Sequence, residues 1–308
     1  MFDNVTIKAY GLPKNYVPCG NVVIKYRTDV NTFQGNIGNM GIYKNLNCLI
    51  IHGSLAKYLH NENITPLNRE EVRQAMEKLE QDIGLNLEYA VVASVEFGTS
   101  IITKEKPFEY LNLFGNKKRL TRVEYSRWTG VETIIYTSDT GSYEFIGYDK
   151  FREMRKKKQE IPPMFTGSNV LRLEYRIRKR RGINAIFKRD LLAYDLFSEN
   201  IYKRFQKLFL DAYKSIDKVG RLVYTNKSKN MTPVKLQKLQ AEQFRQSFPK
   251  DYRYFIQQLT EAKKLTPISL ARIQAENHKL GHDMHISEQS TLIKELDALV
   301  FDRAIFGT

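Results

Sequence analysis

Three polar side chains, Glu96, Glu174 and Tyr136, interrupt strand-like and mostly apolar stretches of this chain. In AVVASVEF (90–97) strand alternation puts Val92, Ser94 and Glu96 on one face and Val91, Ala93, Val95 and Phe97 on the other. In VLRLEYRIRK (170–179) Leu171, Leu173, Tyr175 and Ile177 point one way, and Arg172, Glu174, Arg176 and Arg178 the other. In VETIIYTS (131–138) Tyr136 shares a face with Ile134 and Ser138. A sheet carrying Glu96, Glu174 and Tyr136 on a common face would gather two carboxylates and a phenol, and carboxylate oxygens are the ligands of hard cations such as Mg²⁺ and Mn²⁺. Glu96 is the most telling of the three, because an unpaired carboxylate in so apolar a strand is costly.

Positive charge surrounds these strands. Tyr148-Asp149-Lys150 is followed by Arg152, Arg155, Lys156, Lys157 and Lys158, while Arg172, Arg176, Arg178, Lys179, Arg180 and Arg181 form a second basic run. Over 308 residues the chain holds 49 Lys and Arg against 34 Asp and Glu, a net charge of +15. That balance points to a polyanionic partner, nucleic acid first. Side chains of this kind grip phosphates and set register, with strong salt dependence, but do not read bases.

A membrane role is excluded on run length: stretches such as CLII (48–51) fall far short of the ~20 apolar residues of a bilayer span. The opening MFDNVTIKAY lacks the basic and apolar regions of a signal peptide. Two cysteines, Cys19 and Cys48, are too few for a disulfide framework and fit free thiols in a reducing, cytoplasmic setting.

The elements that must position these residues come in two blocks. Up to about residue 185 the pattern is mainly strands, including hairpin arms around Thr129-Gly130 and around Asp139-Thr140-Gly141. Within that block TPLNREEVRQAMEKLEQDIG is a helix, with Asn68 as N-cap, Glu70 and Glu71 in the first turn, and Gly84 as its stop. Its buried stripe is Val72, Met76, Leu79 and Ile83. From residue 186 onwards the periodicity is helical, beginning with a Ser198-capped helix rich in Tyr, Phe and Leu. The expectation is an α+β protein: a largely antiparallel sheet with helices packed on one face over 1–185, then a helical C-terminal region over 186–308.

IIYTSDTGSYEFIGYDK, preceded by the VEF strand and followed after a basic stretch by VLRLEYRIRKR, resembles the motif series of phage and plasmid rolling-circle replication initiators. The nearest group is the filamentous-phage replication proteins, related to plasmid initiators of the Rep_trans type. GSLAKYLHNENITPLNREEVRQAMEKL and LLAYDLFSENIYKRF extend the likeness over residues 40–215. The resemblance implies a DNA nicking-joining endonuclease. Tyr136 would be the nucleophile, Glu96 and Glu174 the ligands of Mg²⁺ or Mn²⁺, and Lys150 a neighbour of the scissile phosphate. A divalent ion would neutralise the phosphodiester and help turn a mostly neutral phenol into an attacking group. The product is a 5′-phosphotyrosyl link and a free 3′-OH that a polymerase extends.

The implied partner is origin DNA, double-stranded with a single-stranded region at the nick. The C-terminal helices leave open origin recognition, a homodimer contact or a dock for a host helicase. The rival reading is a non-catalytic DNA-binding regulator or packaging protein of a mobile element, and a third is an RNA-binding protein using sheet-surface aromatics. HKLGHDMH, with His278, His282 and His285, lacks the partner ligands of a zinc site, and GNIGNMG lacks the Gly-Lys-Ser/Thr of a phosphate-binding loop. Trp128 fits a residue capping its hairpin against the core.

Overall fold

The computed structural model describes residues 2–13, 16–19, 22–29, 32–45, 47–127, 130–218, 222–224, 234, 237–238, 240–241, 249–273, 275, 284–286 and 291–306. Its centre is a ten-stranded sheet built from β1 (Phe2–Tyr10), β2 (Val23–Asp29), β3 (Thr32–Ile37), β4 (Met40–Asn45), β5 (Cys48–Ser54), β6 (Val91–Thr103), β8 (Thr121–Arg127), β9 (Gly130–Thr137), β10 (Tyr143–Asp149) and β11 (Asn169–Ile177). A short strand, β7 (Phe114–Lys117), lies outside it. The order across the sheet is β2-β3-β4-β5-β1-β6-β11-β10-β9-β8, with every paired neighbour antiparallel. The expected α+β architecture and antiparallel sheet are therefore present.

Helices over the same span include α1 (Leu55–His60), α2 (Arg69–Ile83), α3 (Pro107–Leu111), α4 (Lys150–Lys156), α5 (Arg180–Phe187) and α6 (Glu199–Lys214). Helix α2 matches its sequence signals closely. Asn68 and Glu71 close a reciprocal capping box, Gly84 ends the helix at φ 66°, and Val72, Met76, Leu79 and Ile83 are all buried. The turn between β9 and β10 falls where expected, with Gly141 at φ 60°.

One sheet face is aromatic. Phe97, Tyr175, Phe145 and Tyr136 stand side by side through the pairings Phe97–Tyr175, Tyr175–Phe145 and Phe145–Tyr136. Helices α5 and α6 cover this face: Phe205 meets Phe97 at 4.8 Å, Phe187 at 5.0 Å and Phe2 at 5.0 Å, and Phe209 stacks on Phe145 at 5.9 Å. The other face is polar over β6, β11 and β10. It carries α4 at one end, where Phe151 and Met154 join Ile64 and Val170 in a small apolar cluster.

Two compact units emerge. The first comprises Met1–Leu111, Asn116–Ile216 and Leu296–Thr308, and the second Asn112–Gly115 and Asp217–Glu295. The first thus runs past the expected boundary at 185, because the rings of α6 are part of the sheet's own core. Within the second, a helix spans Pro249–Glu261 and Leu222–Tyr224 pairs with Met284–Ile286, a strand element that helical periodicity did not foretell. Of the three histidines in HKLGHDMH, His278 and His282 lie outside the described residues, as does Trp128. No helix of the described residues is long and apolar enough to cross a membrane.

Phe205 is completely buried between three rings. Phe205→Ala should lower unfolding free energy by ~3–5 kcal/mol, read from the midpoint of denaturant unfolding at unchanged slope.

Candidate active site on the polar sheet face

Arg172 is the interior hub of the polar face. Only 1% exposed, its guanidinium has a partner on every side. Nε donates to Glu174 Oε1 at 3.1 Å, Nη1 to Ser100 Oγ at 2.9 Å and to the Asn63 carbonyl at 3.3 Å, and Nη2 to Asp3 Oδ2 at 3.2 Å. Strand pairing explains Ser100, which lies opposite Arg172 on β6. Asp3 arrives by a different route. Between Phe2–Phe97 and Val5–Val95, β1 holds one residue more than β6, a β-bulge that lets Asp3 reach Arg172 while Asn4 donates to Glu96 Oε2 at 2.7 Å.

Glu174 is the second member, also 1% exposed. Its Oε1 accepts from Arg172 and from the Tyr148 hydroxyl at 2.7 Å, and its Oε2 accepts from Arg176 Nε at 3.1 Å and Nη2 at 2.6 Å. Burial alone would raise its pKa; the guanidinium groups of Arg172 and Arg176, with the Tyr148 hydroxyl, outweigh that and bring it down to about 2. Glu96, opposite Arg176, goes the other way. Burial raises its pKa and the charge of Glu174 adds to that, only partly offset by Arg176 and Arg178. The Tyr148 phenol is pushed well above its ordinary value by burial and then by Glu174. Lys150, 1% exposed and held by Glu153 at 3.0 Å, has its pKa lowered by burial and by the charge of Arg172.

A polar pocket of about 280 Å³ opens beside these groups, lined among others by Asp3, Asn4, Tyr148, Lys150, Glu174 and Arg176. A second, of about 260 Å³, lies between β9, β10 and α4, with Ile135 and Ile146 among its lining and Arg152, Lys156 and Lys157 contributing positive charge. Tyr148, Glu153, Lys157 and Arg176 line both. Glu132 enters the second pocket from another bulge, since β9 spends two residues between Tyr125–Thr133 and Ser126–Val131 where β8 spends one. It pairs with Arg152 and, at 3.4 Å, with Lys156.

Of the residues expected to converge, Glu96, Glu174 and Lys150 share the polar side of the sheet, and Tyr136 does not. Tyr136 pairs with Phe145, which pairs with Tyr175, whereas Glu174 pairs with Ile146, which pairs with Ile135. That single-residue offset sets Tyr136 on the opposite face. There it is completely buried, 6.4 Å from the ring of Phe145. The phenol that does meet the acids is Tyr148, legible in the sequence as the first residue of Tyr148-Asp149-Lys150.

The expected DNA-contacting residues also divide. Arg172 is an internal counter-ion and has no surface to offer. Arg155, Lys156, Lys157 and Lys158 are exposed on and just after α4, and Arg152 lines its pocket. Arg176 is partly exposed at both pockets, Arg178 pairs with Glu144 at 2.8 Å, Lys179 donates to the Thr140 carbonyl at 2.9 Å, Arg180 pairs with Asp190, and Arg181 is exposed.

The donor set does not fit the expected Mg²⁺ or Mn²⁺ as it is arranged. Both oxygens of Glu174 and of Glu96 are engaged by arginine, tyrosine or asparagine hydrogens. The orphaned oxygen nearby, buried Asp3 Oδ1, belongs to a carboxylate already bound to Arg172 and Asn63. Among the described residues no group of three or more His, Cys, Asp or Glu side chains could hold a metal ion.

The model of the phage CRI family, described as the N-terminal part of a replication-associated protein, matches residues 21–188, more than half of the chain, and the chain belongs to that family. The matched span holds Glu96, Tyr148, Lys150, Arg172, Glu174 and Arg176, and the phage-replication resemblance read from the sequence is borne out. Among solved structures, the chain is similar to the rolling circle replication initiator protein from Geobacillus stearothermophilus, at 11% identity and a TM-score of 0.40, over 78% of this chain and 94% of that one. No curated protein matches the chain.

Because Glu174 is depressed in the folded protein, its stabilising contribution is present above the ordinary Glu pKa of 4.5 and is lost as pH falls towards about 2. Melting temperature should therefore drop as pH is taken from 5 to 2. Glu174→Gln, already lacking that charge, should show a shallower acid limb in the same thermal scans.

Proposed function

We propose that the protein starts rolling-circle replication of a phage or related mobile element by cutting one strand of origin DNA through a tyrosine, in the cytoplasm of a bacterial host. The observation that carries this reading is the Tyr148 hydroxyl, 2.7 Å from Glu174 Oε1, at the junction of two pockets rimmed by basic side chains. Family membership supports the replication role, and the position of Tyr148 supports its choice over Tyr136 as the attacking phenol.

In the reaction the phenolic oxygen attacks the phosphorus of the scissile phosphodiester. The bond from phosphorus to the 3′ oxygen breaks, the 5′ end stays on the tyrosine as a phosphotyrosyl ester, and the 3′ oxygen leaves as a hydroxyl. Glu174 accepts the phenol's proton along the existing hydrogen bond. Lys150, in the same pocket and with a lowered pKa, supplies a proton to the leaving oxygen.

At rest the guanidinium groups make Glu174 a weak base. An incoming phosphate competes for Arg176, the more exposed of its two arginines. When Arg176 turns to the phosphate, Glu174 loses one counter-charge and becomes a stronger base, while the phosphate loses its repulsion toward the nucleophile. No step here passes through Mg²⁺ or Mn²⁺. The exposed cations of α4 and of Arg181 hold the DNA backbone, and the later reverse attack rejoins the strand.

The test is covalent capture. Supercoiled origin plasmid, incubated with the protein in Mg²⁺, in Mn²⁺ and in chelator, should yield relaxed circles with protein attached through tyrosine. Tyr148→Phe should lose the adduct by ~100-fold or more and keep DNA affinity, whereas Tyr136→Phe should still form it. The reverse pattern overturns the assignment of Tyr148, and a wild type that binds its origin but never forms an adduct leaves a DNA-binding regulator instead. Independently, replacing Lys156, Lys157 and Lys158 by Gln should weaken DNA binding and flatten the dependence of log K on log salt by roughly one unit per lost phosphate contact.

A further inference from the structure

The polar face does not end at Glu96. It continues across β1, β5, β4, β3 and β2, where strand pairing lays side chains in rows that share one surface. One row runs Lys8, Ile50, Tyr43, Gln34, Tyr26, each paired with the next across the strands. The adjacent row runs Ser94, Thr6, His52, Gly41 and Asn36. Alternation assigns the apolar partners to the reverse side: Ile7, Ile51 and Ile42 pair with one another and are buried.

The front side is open. Tyr26 is 75% exposed and Tyr43 40%, values at odds with rings placed for a core. The ring of His52 lies across Gly41, where a Cβ would come within 2.4 Å of Nε2, so the missing side chain there makes room for a flat group on the surface. Scattered exposed aromatics need no explanation, but two exposed tyrosines flanking Gln34 in one row, with the imidazole of His52 in the next, form a surface for planar ligands on one sheet face.

This surface is joined to the site. Ser94 donates to Thr6 at 2.8 Å and Asn4 to Glu96 at 2.7 Å, on the same side of β1 and β6. The Tyr148 pocket also extends to Asn39, Gly53 and Ser54, at the β3–β4 turn and the end of β5, and takes in Lys57. A strand whose phosphate sits at Tyr148 thus has a continuous way onto the tyrosine-bearing half of the sheet.

We propose that the open face of β1–β5–β4–β3–β2 is a track for unpaired DNA extending from the cleavage pocket, with bases stacked on Tyr43 and Tyr26 and phosphates near Lys8 and Lys57. The proposal rests on the reading of the Tyr148 pocket as the DNA-cleaving site. The chemistry fits single strands and not duplex, since a base must be out of its pair to offer a π-face to a tyrosine, and such stacking tolerates any sequence. Charge agrees: Lys8 stands in the row that carries both rings, Lys57 lines the pocket from which the track starts, and no carboxylate occurs in the two rows.

Fluorescence anisotropy with a short oligonucleotide covering the nick and a longer one extended by ~10 nucleotides on either side tests it. Wild type should bind the longer strand more tightly, and Tyr26→Ala with Tyr43→Ala should remove about tenfold or more of that affinity while leaving the short one unchanged. Tyr26→Phe with Tyr43→Phe, which keeps the rings, should bind both like wild type. Photocrosslinking of the extended strand should label peptides containing Tyr26 or Tyr43. Equal affinity of the Ala variant and wild type for the long strand overturns the track, as does equal loss by the Phe variant, which would assign the contact to hydroxyl hydrogen bonds and not to stacked bases. If the length-dependent affinity disappears in the Ala variant but no adduct ever forms at Tyr148, the track stands and the cleavage reading falls.

Discussion

A cation buried in a sheet must be compensated in place, and Arg172 makes that demand on everything around it. An arginine keeps its charge at any accessible pH, so it cannot escape the interior by losing a proton. Its compensation comes from the start of β1, from β6, from the Asn63 carbonyl and from its own strand, which ties four pieces of chain to one guanidinium. Such an arrangement is weak support for stability as such, because the attraction between the charges offsets a large desolvation cost. Its value is in geometry: with Asp3 on one side and Glu174 on the other, neither carboxylate can move without stranding a buried charge.

From that fixed point the rest of the site is built in order. Glu174 uses one oxygen inward and turns the other to Arg176, and Tyr148, one strand over, meets the inward oxygen. The aromatic layer on the reverse face makes this possible. Phe97, Tyr175 and Phe145 hold β6, β11 and β10 against α6, so the register across the three strands is set by burial on one side and used on the other. Gly98 contributes at the same level: a Cβ there would lie 2.0 Å from the Leu173 carbonyl, so β6 passes Glu174 at a distance only glycine allows.

The sequence made part of this legible, and the reasons are local. Along β11 alternation holds, and it correctly separated Leu171, Leu173, Tyr175 and Ile177 from Arg172, Glu174 and Arg176. In β6 it fails next to Ala93, where a bulge pairs Val92 with Ile7 and turns Val92 away from the face of Ser94 and Glu96. Between strands it is silent: whether Tyr136 faces with Glu174 or with Tyr175 depends on the hairpin register through β10, and one residue decides it. Asp3 and Glu132 were hidden for a second reason. Each reaches the polar face at a bulge, where counting by twos breaks down. Arg172 was placed on the correct face and given the wrong role, since a basic run shows charge but not which of its members is enclosed. Helix α2 was legible nearly to the residue because its caps, stripe and stop are all encoded locally.

Charge is distributed in two tiers, which under the proposed function would separate holding DNA from acting on it. Inside the site, Asp3, Glu96, Glu144 and Glu174 face Arg172, Arg176 and Arg178, so the interior is close to self-balanced before any substrate arrives. The surplus of the +15 chain is therefore carried elsewhere, and exposed Arg155, Lys156, Lys157, Lys158 and Arg181 are part of it. Exposed cations release counter-ions when phosphates bind and so supply affinity. A balanced interior supplies little affinity, but it holds donors and acceptors that can exchange partners without a net change of charge. In the proposed reaction a phosphate entering such a site would replace one carboxylate's claim on an arginine with its own, and the carboxylate so released would be the one bonded to Tyr148. On that proposal, binding and proton acceptance would be coupled through a single shared guanidinium, that of Arg176.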